Sequence, residues 1–95
     1  MKKGYWVVRA NINNLNEYSK YIDIASAVIK KYDGTFIVRG GNQTEFEKEG
    51  FDRTVVVEFN SYKDALECYK SSEYQSALKL VEISASRLVS VVEGV

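Results

Sequence analysis

Arg9, Arg39 and Glu58 stand inside otherwise apolar segments of this chain. Charges that become buried must be paired, with one another or with something bound. A guanidinium presents a planar fork of donors that matches a carboxylate, so Arg9 and Arg39 suit an anion. Glu58 is the one carboxylate placed to act as a buried general base. Strand alternation sets Arg9 with Tyr5 and Val7, Arg39 with Ile37, and Glu58 with Val56, all on one face. With the first and third strands as neighbours, Arg9 and Glu58 fall ~5 Å apart across a ladder pair. Two readings are open. The three charges are a salt-bridge network that fixes the register of a dimer, or they are an anion site for a carboxylate ligand.

The aromatic residues are the second candidate. Tyr18, Tyr21, Tyr32, Tyr69 and Tyr74 fall on the inner faces of predicted helices, above Trp6. Trp6, Tyr18 and Tyr69 are expected to wall a ligand pocket suited to a small aromatic or polyketide-like molecule. The plainer reading is an aromatic core whose hydroxyls reach the rim. The chain has no histidine, which removes the commonest general base, metal ligand and nucleophile partner. Catalysis, if present, uses Arg, Lys, Tyr, Asp, Glu or the substrate itself. No cofactor and no metal are implied. The one cysteine, Cys68, reads as a packing residue, with no histidine to activate it and no partner for a disulfide. A single Arg39-Gly40-Gly41 in a neutral protein reads as a turn.

The elements that must position these residues follow from periodicity. Residues 5–12 alternate as a strand, and Asn14 caps a helix with Glu17 at capping-box spacing. Leu15, Tyr18, Tyr21, Ile22, Ala25, Val28, Ile29 and Tyr32 form its apolar stripe. Lys30 and Lys31 suit its last turn, and Gly34 is its expected left-handed stop. Residues 35–39 form a second strand, and residues 42–52 a polar loop. Residues 53–59 form a third strand. Ser61 caps a short helix, Ser71-Ser72 interrupts it, and Ser72 with Gln75 caps a second helical piece. Residues 88–93 form the last strand. The order is β-α-β-β-α-β, a ferredoxin-like α+β sandwich with a four-stranded antiparallel sheet and two helices on one face.

That arrangement leaves one sheet face bare. Yet residues 53–59 are apolar on both sides, with Val55, Val57 and Phe59 facing one way and Thr54, Val56 and Glu58 the other. The second face calls for a partner sheet, most simply another copy of the chain, giving a homodimer. The 95 residues fit one domain, 1–95. Thirteen basic and thirteen acidic residues cancel, so no nucleic-acid partner is expected. No run approaches the ~20 apolar residues of a membrane helix, and the apolar run after Lys3 is too short for a signal peptide. The expectation is a soluble, cytoplasmic protein.

Several segments together carry a family resemblance: Gly4-Tyr5-Trp6, Arg39-Gly40-Gly41, Arg53-Thr54-Val55-Val56-Val57-Glu58-Phe59, Tyr69-Lys70-Ser71-Ser72-Glu73-Tyr74 and Val92-Glu93-Gly94. In this order the chain resembles the DUF1330 family, small bacterial proteins of uncharacterised function. That family is similar to the dimeric α/β-barrel group, in which two ferredoxin-like subunits pack sheet against sheet. The resemblance implies a small-molecule ligand or, alternatively, a cofactor-independent oxygenase or isomerase. The haem chemistry found elsewhere in the group needs an axial histidine, which this chain lacks. The family usually has proline where this chain has Ser72; proline suits the first turn of a helix, and serine is expected to keep the turn as a cap.

Overall fold

The computed structural model describes residues 1–95. The chain runs β1 (Gly4–Ile12), α1 (Leu15–Lys31), β2 (Thr35–Arg39), β3 (Arg53–Phe59), α2 (Tyr62–Lys70), α3 (Ser72–Ser84) and β4 (Ala85–Glu93). The strands form one antiparallel sheet in the order β2-β3-β1-β4. Trp6, Val8 and Ala10 of central β1 are buried, as are Val55, Val57 and Phe59 of β3. Tyr18, Tyr21, Ala25, Val28 and Ile29 of α1 and Tyr74, Ala77 and Val81 of α3 close over them in one core. No helix is long and apolar enough to cross a membrane.

Three helices stand where two were expected. Ser71 has extended backbone, φ −59° and ψ 146°, and divides α2 from α3. Its hydroxyl accepts from the Tyr74 amide and donates to the Cys68 carbonyl, so it ends one helix and caps the next. The cap is therefore Ser71, and Ser72 is the first helical residue, the position where proline fits. At the end of α1 the left-handed residue is Asp33, with φ 59°, rather than Gly34. Gly34 is required for space, because a Cβ there would lie 2.6 Å from Ile29 Cγ2 and 2.7 Å from Phe59 Cε1. The last strand begins at Ala85, directly after α3 and ahead of the expected residue 88.

The other face of the sheet is uncovered by helices. It carries Val7, Val38, Leu88 and Val92, all exposed, with half-buried Val56 among them. The loop at 42–52 folds over one end of this face. Arg9 pairs there with Glu45, donates to the Lys48 carbonyl at 2.9 Å and sits over the Phe51 ring at 4.7 Å.

Candidate functional site

Ala10 is fully buried at the centre of the sheet, and its register partners are Arg53 on β3 and Arg87 on β4. Paired residues share a face, so both arginines stand on the helix side, one on either flank of Ala10. The methyl of alanine leaves the floor between them open. Arg39 joins from β2 through a bulge. Phe36 pairs with Val57, but Val38 pairs with Val56 and Arg39 with Val55, so one extra residue is accommodated between Phe36 and Val38. The bulge moves Arg39 from the face of Ile37 to the inner face, where it stacks over Phe36 at 4.3 Å.

Arg39, Arg53 and Arg87 thus converge on a cleft between α1 and the sheet. Trp6, Tyr18 and Tyr21 form its aromatic walls, with Ile22, Phe36 and Val55 among the apolar lining. Its volume is about 20 Å³, room for about one water. No carboxylate lines the cleft, and none lies within ion-pair distance of the three arginines. The Nε of Arg53 is buried and has no hydrogen-bond partner. Leaving a charged donor unsatisfied is costly, so this atom marks a place for an acceptor.

Arg87 is held by two phenols. Its Nη1 donates to the Tyr21 hydroxyl at 3.0 Å and its Nη2 to the Tyr74 hydroxyl at 3.2 Å. The two hydroxyls lie 2.6 Å apart. Burial pushes both phenols above the ordinary tyrosine range, and Arg87 only partly offsets it. Tyr18 is likewise raised, chiefly by burial, while Arg53, Arg87 and Arg39 all pull it down. All three phenols are neutral at neutral pH.

The charges expected on one face are split between two. Arg9 pairs with Thr54 in register and Glu58 with Tyr5, so the two are four positions apart rather than opposite. Glu58 accepts from the Tyr5 hydroxyl at 3.1 Å, on the side of the sheet away from the cleft. The Arg9–Arg39–Glu58 grouping is therefore corrected: the bulge removes Arg39, and the register separates the other two. Trp6 and Tyr18 line the cleft, with Trp6 Nε1 donating to the Ala65 carbonyl at 2.8 Å. Tyr69 does not line it; it packs against Trp6 and Tyr74 at ring distances of 5.7 and 5.1 Å. Arg53 and Arg87 were not among the expected site residues. Arg53 is in phase with Val55, Val57 and Phe59, a signal readable in the sequence. Arg87 preceded the expected start of its strand.

A family model for a domain of unknown function, DUF1330, matches residues 3–95. No curated protein matches the chain. A protein of unknown function from Rhodopseudomonas palustris is similar in structure, with a TM-score of 0.77 at 13% identity, over 99% of this chain and 83% of the other. A dimeric ferredoxin-like protein of unknown function from Jannaschia sp. CCS1 gives 0.75 at 14% identity, over 96% and 98%. SnoaB, a cofactor-independent oxygenase from Streptomyces nogalater, gives 0.62 at 10% identity, over 97% and 92%. At these identities the likeness is one of fold.

Proposed function

This chain belongs to the DUF1330 family, and from its unpaired arginines we propose that it is a homodimeric protein that binds a small carboxylate. The observation that carries the reading is the cleft with three guanidiniums, one buried donor without a partner, and no acid to balance them. A carboxylate would place one oxygen in the water-sized space between the arginines. An apolar or aromatic body lies toward the mouth beside Phe36 and Ile22. Trp6, Tyr18, Tyr21, Arg39, Arg53 and Arg87 are the proposed contacts. Arg9, Glu58 and Tyr69 lie outside this set.

The test is a panel of small aliphatic and aromatic carboxylates, each beside its neutral amide, in thermal-shift and calorimetric titrations. At least one acid is expected to bind where its amide does not, and Arg87→Met to weaken it by about tenfold or more. If acids and amides behave alike, the reading is wrong.

A second copy on the uncovered sheet face completes the proposed assembly. The exposed valines and Leu88 support it, as does the dimeric Jannaschia relative. The fold likeness to SnoaB favours one further reading, a cofactor-independent oxygenase or isomerase. No base faces the cleft, because Glu58 lies across the sheet, so the substrate would enter already ionised. Oxygen uptake, which an oxygenase would show, and a change in the NMR spectrum of each bound acid without oxygen uptake, which an isomerase would show, separate these activities from simple binding.

A further inference from the structure

The Tyr21 and Tyr74 hydroxyls carry two protons between them, and both rings are buried. A guanidinium only donates, so Arg87 takes neither proton. The contact between the hydroxyls uses one. The other has no acceptor among the groups that touch them. Tyr21 lines the cleft and Tyr74 does not. If Tyr21 donated to Tyr74, the leftover proton would sit in the closed core with nothing to receive it. If Tyr74 donates to Tyr21, the leftover proton belongs to a residue on the cleft wall, where a ligand can accept it.

We propose that Tyr21 is a ligand-contacting donor, oriented by Tyr74 and Arg87, and that the cleft selects an oxyanion head bearing no proton. This rests on the reading of the cleft as an anion site and adds what the head group must be. Beyond the arginines, the polar side chains of the lining are two phenols and one indole, and the indole is already bonded. Donors therefore outnumber acceptors. The Arg53 Nε–H and the Tyr21 O–H both need an acceptor. A deprotonated carboxylate has up to four lone-pair sites and no donor, whereas an acid, alcohol or amide brings a proton of its own.

The experiment is an NMR titration of the whole wild-type chain, labelled at tyrosine Cζ and arginine Nε. Sodium acetate and sodium benzoate are the probes, against sodium chloride at equal ionic strength. The expected result is that the Arg53 and Tyr21 signals move with the carboxylates while Tyr74 moves much less. If the arginine signals move and Tyr21 does not, the anion site stands and the role of Tyr21 is overturned. If no arginine signal moves beyond the chloride control, the anion site falls, and this inference with it. Affinity gives a second readout for whichever probe binds. Tyr21→Phe should weaken it by about tenfold or more, and Tyr74→Phe by less than about threefold, since Tyr21 keeps its proton and Arg87. Equal losses would overturn the assignment.

Discussion

At the residue scale, Arg53 is where stability and binding oppose each other. Its Nε is buried without a partner, and it shares the cleft with two other cations. An unsatisfied buried donor costs about 1–3 kcal/mol, and a thioether of similar length removes that cost. Arg53→Met should therefore raise the ligand-free stability by about 1 kcal/mol, seen as a higher urea midpoint, while abolishing carboxylate binding. A lower midpoint would mean that Arg53 is satisfied in solution. Cys68 gives a prediction of a different kind. It is fully buried, and burial, with Glu73 nearby, pushes its thiol up to about 12. At pH 8 a thiol reagent should label it only as fast as the protein unfolds; rapid labelling of folded protein would contradict its placement. Trp6, Tyr18 and Arg39 were singled out from residue type alone, and all three line the cleft. The partners of Arg39 were not, because a bulge reverses its face and leaves no mark in five residues, T-F-I-V-R.

At the element scale, the α2–α3 junction and the 42–52 loop each rest on a few bonds. Ser71→Ala removes the cap of α3 and should cost about 1 kcal/mol in chemical unfolding. Ser72→Pro should be neutral or stabilising by up to about 1 kcal/mol, because Ser71 already has the extended backbone that a residue before proline prefers. The loop depends on Glu45, which accepts from Arg9 and from the Gly50 and Phe51 amides. The Arg9 bond, then the Gly50 amide, holds its carboxyl below the ordinary 4.5. A depressed folded value stabilises the closed loop above the unfolded value and is lost as pH falls through the folded one. Hydrogen exchange at Gly50 and Phe51 should thus show the loop opening as pH falls below about 4.5, beyond the usual pH dependence of exchange. Glu45→Gln should flatten that response. The polar composition of 42–52 marked a loop, but its docking across the sheet needed the register that brings Arg9 and Asn11 beneath it.

At the scale of the whole molecule, the uncovered sheet face sets the expected assembly. Val56→Asp places a charge among Val7, Val38 and Leu88, where it should cost little in a monomer and much in a sheet-to-sheet dimer. Sedimentation should show a wild-type dimer and a monomeric variant; a dimer unaffected by this change would place the interface elsewhere. Wild-type melting should also rise with protein concentration. Period-two and period-3.6 patterning was enough to determine the four strands in outline, α1 and the apolar inner face of the sheet, because alternation and amphipathic stripes are local properties of the chain. The absence of histidine was likewise a property of the sequence alone. The site was decided only by tertiary structure. Arg39, Arg53 and Arg87 are far apart in sequence, and a bulge, two strand registers and the small side chain of Ala10 bring them together. The proton count that singles out Tyr21 requires two helices and a strand to meet at one point, and no local pattern encodes that meeting.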